Sequence, residues 1–208
     1  EDRWSRNIIA ELKGSTHPEE IVVIGGHMDS WDVGQGAHDD AGGCIAAWRA
    51  VTLIKELGLR PRRTLRVVLW TNEENGSRGS RNYRNEHLNE LENHILAIES
   101  DGGVFAPQGF GFTGNKEARK VVYDIADLLD PIGAGKITNW GRAPDIAILN
   151  DEGVPVMSLN VDNSKYFWYH HTSADTFDKV DYGEFNDCIA AMAIMAYVVA
   201  DMEQRLPR

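Results

Sequence analysis

A chain of 208 residues, 42% hydrophobic and 25% charged, has the size and make-up of one globular unit with a single core. Its 32 acidic residues outnumber 21 basic ones, and the formal charge of −11 excludes a nucleic-acid partner, which would require a basic face. It also leaves no basic patch for an anionic membrane, and no apolar run approaches the roughly 20 residues of a membrane span.

In chain order, short apolar runs alternate with helical patterns. IVVIGG (21–26) reads as a strand, followed by a helix over 41–58 with Gly58 as its C-terminal cap. TLRVVLWT (64–71) is a second strand, followed by a helix over 77–91. HILAIES (94–100) is a third strand, and KEARKVVYDIADLL (116–129) a helix. PDIAILNDEG (144–153) is a shorter helix with Pro144 in its first turn, before a fourth strand, VPVMSLN (154–160). A long helix over 182–206 closes the chain, and its apolar stretch 188–202 reads as a core segment. Strands apolar on both faces belong in a buried, mostly parallel sheet, and their alternation with helices gives a layered α/β fold. With no internal repeat and no low-complexity linker, residues 1–208 form one domain. Cys44 and Cys188 are too few for a disulfide framework, and each sits in an alanine-rich apolar stretch, so both are expected as buried free thiols. Starting at Glu1, the sequence reads as a processed form or one segment of a longer protein.

In open α/β sheets, sites form beyond the carboxyl ends of the strands. Each predicted strand here ends in acids or imidazoles. The first leads into GGHMDSWDVGQGAHDD, with His27, Asp29, Asp39 and Asp40; the second into WTNEENGS, with Glu73 and Glu74. The third leads into ESDGG, with Glu99 and Asp101, and the fourth is followed by YHHTSADT, with His170, His171 and Asp175. Any one of these motifs alone suits a solvated loop. Together they gather carboxylates whose burial is costly unless cations compensate them. Two histidines and three carboxylates match zinc ligation, and a carboxylate shared between two metals explains five ligands rather than three or four. Of the adjacent Glu73 and Glu74, one can bind metal while its neighbour faces substrate as a general acid/base. The sequon Asn75-Gly76-Ser77 follows directly and abuts the same site.

These motifs, in this order, resemble the M28 family of zinc aminopeptidases, over essentially the whole chain. The resemblance implies a three-layer phosphorylase/hydrolase-like fold with a mixed, mainly parallel central sheet and two Zn2+ ions per chain. By motif, His27 and Asp101 would bind one zinc, Glu74 and His171 the other, and Asp39 would bridge them. Glu73 would be the catalytic acid/base. Asp29 would orient His27 through a hydrogen bond, with Asp40 beside it, and the Asp39–Asp40 peptide would be cis. His38 and Asp32 would be bystanders, His170 would pack beside the ligand, Glu99 would shape its loop, and Asp175 would brace the His171 loop.

Departures matter too. Many family members carry Ser-Asp-His where this chain reads APDIAIL, keeping Asp145 but placing Ile146 at the histidine position. A tyrosine that stabilises the tetrahedral intermediate in some relatives has no counterpart here, Gly141 sitting near its position. Arg142 is then a candidate oxyanion donor or substrate-carboxylate grip, an ordinary surface arginine being the alternative, and Asp145 is a further substrate-binding candidate. The aromatic run KYFWYHH (165–171) suits either pocket walls or core packing. By resemblance the substrate is a dipeptide or short peptide with a free N-terminus and the enzyme a homodimer. Its compartment is secreted, periplasmic or lysosomal, and the helical and protease-associated portions that precede this domain in such relatives read as absent from this chain. Two rivals remain: a non-catalytic binding module on the same fold, which intact ligands disfavour, and another di-metal amide hydrolase such as a deacylase.

Overall fold

A computed structural model describes residues 3–208. Seven strands form one sheet: β1 (Ile8–Leu12), β2 (His17–His27), β3 (Arg63–Trp70), β4 (His94–Glu99), β5 (Pro107–Thr113), β6 (Lys136–Thr138) and β7 (Val156–Val161). Their spatial order is β1-β3-β2-β4-β7-β5-β6. The four predicted strands, β2, β3, β4 and β7, run parallel through the middle. β1 pairs antiparallel with β3 at one edge; β5 runs antiparallel to β7, with the three-residue β6 beside it at the other. The sheet is therefore mixed and mainly parallel.

Strand alternation sorts the core into two layers. Val22 and Ile24 of β2 point to one face, where α1 (Gly42–Glu56), α3 (Lys116–Ala126) and α6 (Tyr182–Asp201) cover the sheet. Ile21 and Val23 point to the other, against Tyr83 of α2 (Arg78–Glu86) and Ile146 and Leu149 of α4 (Pro144–Asp151). Both cysteines are free and buried. α6 is long and apolar enough by composition to cross a membrane, yet its face of Cys188, Met192, Met195 and Val199 is spent on this core.

The predicted helices are right in place and long at their ends. Gly58, with φ +72, follows the last turn of α1, and Pro144 opens α4. α2 and α3 give way to tighter 3₁₀ turns, Leu88–Asn93 and Asp127–Ile132. α6 starts at Asp181, whose carboxylate accepts from the Gly183 and Glu184 amides, at 2.8 and 3.0 Å. It stops at Asp201 rather than 206 because Met202 turns extended and gives its carbonyl to Arg63, 2.6 Å away.

Candidate metal centre

Four strand ends converge at the carboxyl edge of the sheet. β2 ends in His27, and β3 passes into a turn carrying Glu73 and Glu74. β4 stops two residues before Asp101, and after β7 the single helical turn α5 (Tyr166–Tyr169) delivers His170 and His171. Asp39 and Asp40 enter from residues 37–41, where the backbone leaves helical geometry and the Asp39–Asp40 peptide is cis. Asn72, Ser77 and His171 are the non-glycine residues with left-handed backbone among those described, and all three lie in these loops. Such backbone is strained for a side chain and is held only where surrounding contacts determine it.

Two clusters share one carboxylate. Nε2 of His27 lies 3.2 Å from Asp39 Oδ1 and 3.2 Å from Asp101 Oδ1. Nε2 of His171 lies 3.2 Å from Asp39 Oδ2 and 2.9 Å from Glu74 Oε2. The two oxygens of Asp39 thus face different imidazole–carboxylate groups. Glu73 stands beside the first, its Oε2 4.0 Å from His27 Nε2. Asp39, Glu73, Glu74 and Asp101 line a cavity of about 270 Å³ with Pro144, Tyr166, His170 and His171.

The orienting contacts differ in detail from the expectation. His27 Nδ1 donates to the backbone carbonyl of Asp29 at 2.9 Å, whereas the Asp29 carboxylate is 3.9 Å away. That carboxylate instead accepts from the Glu73 and Glu74 amides, at 3.1 and 3.3 Å, fixing the turn that presents both glutamates. With Nδ1 donating there, Nε2 is the ring nitrogen aimed between Asp39 and Asp101. Asp40 is fully buried between β2 and α1, accepting from the His27 amide (3.0 Å) and the Gly43 amide (3.1 Å). It fits because Gly26 and Gly43 flank it: a Cβ at either would come within 2.4 Å of its carboxylate. Asp175 braces the backbone of Asp39 from the His171 loop, accepting from the His38 and Asp39 amides at 2.7 and 3.1 Å.

Other candidates fall elsewhere. His38 stacks on Phe105 with ring centres 4.2 Å apart and belongs to the core, while Asp32 is exposed. Glu99 is buried and accepts from the Ile146 amide at 3.0 Å, anchoring the start of α4. Arg142 is a correction: its guanidinium donates to Asn150 and Asp151 in the last turn of α4, so its fork is committed away from substrate. Asp145 is another, since it is wholly buried and therefore closed to direct substrate contact. His170 comes nearer than expected. It stacks on His171 at 3.6 Å and approaches Asp39 Oδ2 to 3.5 Å, without an approach to Glu74.

Sequence reasoning missed one contributor, Trp31, and left a second, Tyr166, within an aromatic run read as either pocket wall or core. Trp31 donates from Nε1 to Glu74 Oε2 at 2.8 Å, and its ring lies 5.0 Å from that of His171. Tyr166 lines the cavity, with its ring 4.9 Å from His170. Its i, i+4 spacing to His170, one helical turn, places it on the pocket side and decides between the two readings of the run.

The electrostatics are those of a site built around positive charge. Burial works against charge on His27, yet the hydrogen bonds to Asp101 and Asp39 hold its imidazole protonated well above the usual range. Burial would raise Asp39, but His27 overrides it and holds this carboxyl low. Burial, then the Asp101 charge, pushes Glu73 up to about 7 against the pull of His27. Asp40, Glu99 and Asp101 are raised mainly by burial, and Asp145 is pushed up to about 7.

Fold and side chains together define an α/β protein with paired imidazole–carboxylate clusters on its sheet edge. The family profile described as Peptidase family M28 matches residues 7–196, and the chain belongs to that family. It is 48% identical to carboxypeptidase Q of Xenopus laevis and 46% identical to that of Homo sapiens, in each case across 100% of this chain and 44% of the relative. The chain therefore spans less than half the length of these curated relatives. A crystal structure of a peptidase M28 precursor from Shewanella amazonensis superposes with a TM-score of 0.93 at 40% identity, covering 97% of this chain and 46% of that one.

Proposed function

We propose that this chain is the catalytic unit of a di-zinc exopeptidase acting on dipeptides or short peptides with a free N-terminus. The observation that carries the reading is Asp39, whose two oxygens face separate imidazole–carboxylate clusters 3.2 Å away on either side, with Glu73 alongside. Asp39 Oδ2 and Glu74 Oε1 are buried without a hydrogen-bond partner, which suits a cation rather than a solvated loop. Imidazole nitrogen and carboxylate oxygen are zinc donors. His27, Asp39 and Asp101 would hold one ion and Asp39, Glu74 and His171 the other. When bound, zinc supplies Lewis-acid polarisation of the scissile carbonyl and acidifies water at the site.

The side chains do the rest. Glu73, half-buried and raised toward neutrality, takes a proton from the attacking water and passes it to the nitrogen of the departing amine. Tyr166, whose phenol stays protonated beside these carboxylates, donates a hydrogen bond to the carbonyl oxygen as negative charge develops there. The acids of the cavity attract the protonated α-amino group, which selects peptides with an unblocked N-terminus.

The test measures zinc per chain and hydrolysis of alanyl-alanine and N-acetyl-alanyl-alanine by the wild type and by Glu73→Gln. Two zincs, cleavage of the free dipeptide alone, and a metal-loaded variant slowed about 10²–10⁴-fold are expected. A protein that takes up no metal after zinc reconstitution would sink the reading.

A further inference from the structure

The two imidazoles assigned to the metals are held in different ways. His27 is buried and its Nδ1 donates to the Asp29 carbonyl at 2.9 Å, the second hydrogen bond that normally fixes a ligating imidazole. His171 has no such bond. Among the described residues its Nδ1 meets no carbonyl or carboxylate, and its backbone is left-handed at φ +58. Aromatic rings take the place of that bond. The His170 ring stacks on it at 3.6 Å, and the Trp31 ring lies 5.0 Å away, tilted by 37°. Trp31 also reaches the carboxylate beside His171. Its Nε1 donates to Glu74 Oε2 at 2.8 Å, the same oxygen that faces His171 Nε2 at 2.9 Å. A carboxylate oxygen has two lone pairs, so this bond leaves the second one open, and Glu74 Oε1 is buried without a partner. Trp31 thus engages two side chains of the second cluster, and among the described residues it makes no hydrogen bond or ring contact with His27 or Asp101 of the first. The loop that carries it is fixed on both sides. The Met28 amide donates to the Trp70 carbonyl and the Gln35 amide to the Asp175 carbonyl, each at 2.8 Å. Between them Gly34 passes so near the His171 loop that a Cβ there would lie 2.6 Å from the Thr172 carbonyl.

Resting on the di-zinc reading above, we infer that Trp31 is the positioning residue of the second zinc site, holding Glu74 through its indole N–H and His171 through its ring before metal arrives. A glutamate left free must be ordered by the metal itself, and that lost rotamer freedom subtracts from affinity. An imidazole without its second hydrogen bond carries the same penalty unless neighbouring rings fix it. Trp31 meets both needs with one side chain. The rival role for a half-exposed indole at this edge is a wall for substrate, and the space around it argues against that. Trp31 stands outside the 270 Å³ cavity that Glu73 and Tyr166 line. The hollow it does line, with Ser30, Gly36 and Thr172, measures about 10 Å³, the space of one water and too small for a substrate side chain.

Zinc titration against a competing chelator gives a Kd for each ion in the wild type, Trp31→Phe and Trp31→Leu, and in each of these combined with His171→Ala. Trp31→Phe keeps a ring and loses the N–H; it is expected to weaken one ion about 10- to 100-fold and leave the other unchanged. Trp31→Leu should weaken the same ion at least as much. With His171→Ala, where only the first ion remains, neither replacement should change the Kd, because the two residues act through one site. The kcat for alanyl-alanine in Trp31→Phe should fall at limiting zinc and return in excess zinc, a recovery that a general packing defect would not show. Both ions weakened alike, neither weakened, or the same loss persisting with His171→Ala would overturn the positioning role. A raised KM with both Kd values intact would overturn it too, and make Trp31 a substrate wall. A wild type that takes two zincs but cleaves no peptide sinks the peptidase reading alone, since the Kd values still decide the role of Trp31. A wild type that takes up no zinc sinks both.

Discussion

His171 and His170 are adjacent, stacked and both within reach of Asp39, so the choice between them rests on Glu74. His171 alone meets both carboxylates, at 3.2 and 2.9 Å. Replacing His171 by alanine is therefore expected to drop zinc from two ions to one per chain, whereas His170→Ala keeps both; metal analysis of the two variants decides. A second residue-scale effect lies remote from the metals. His94 is buried, accepts at Nε2 from the Tyr83 hydroxyl (2.8 Å) and donates from Nδ1 to the Glu90 carbonyl (3.0 Å), while Arg66 donates to the same tyrosine oxygen (2.8 Å). Protonating Nε2 would set a donor against a donor. Burial is the main reason its pKa falls from 6.5 to about 4. The unfolded chain then binds a proton that the fold refuses, so stability falls as pH drops from 6.5 toward 4. That interval corresponds to about 3 kcal/mol. Because the raised carboxylates of the metal site change alike in both proteins, urea unfolding at pH 7 and 4.5 should show the wild type losing stability relative to His94→Gln by about this amount on acidification.

At the scale of elements, the seat of Asp40 shows what a helix and a strand must surrender to admit a carboxylate. Gly43 opens the first turn of α1 where a Cβ would lie 2.0 Å from the Ser100 carbonyl and 2.3 Å from Asp40 Oδ1. Gly43→Ala must push β4 or Asp40 aside. The expected cost is about 1–3 kcal/mol, with weaker metal uptake, because Asp40 also holds the His27 amide; denaturant midpoint and zinc affinity both read it. The same element scale explains what was legible in the sequence. β2, β3, β4 and β7 announce themselves through Val, Ile and Leu on both faces, and the rule of carboxyl ends then gathers the candidate ligands. β1, β5 and β6 passed unread. Ile8–Leu12 is a mostly exposed edge strand, PQGFGFT is broken by proline and glycines, and Lys136–Thr138 is three residues long. Their pairing depends on neighbours remote in sequence, so local pattern carried little of it. Contacts set by long-range packing were equally hidden: Asp29 serves the Glu73–Glu74 turn, and Arg142 turns back on its own helix.

Across the whole molecule, a chain of charge −11 places Asp39, Asp40, Glu73, Glu74, Glu99, Asp101 and Asp145 around one edge of its sheet. Without metal, protons are the available counter-charge. The raised values of Asp40, Glu73, Glu99, Asp101 and Asp145 express that, with burial as the leading cause. Each of these groups holds its proton in the fold at a pH where the unfolded chain has lost it. Their contribution to metal-free stability is thus complete below the unfolded range near 4, and it is lost as pH rises through the folded values, about 7 for Glu73 and Asp145. Metal reverses the trend, because deprotonated carboxylates are its ligands and binding releases the protons. Free zinc at a hundredfold excess over its Kd stabilises by about 2.7 kcal/mol, about 5–10 °C in Tm for a chain of this size. Thermal unfolding with zinc and with a chelator, at pH 5.5 and pH 8, should show a Tm gap that widens toward pH 8. His94 titrates alike in both samples and cancels from the difference. A gap that is constant with pH, or one that narrows at pH 8, would mean that the cation does not replace protons on this cluster.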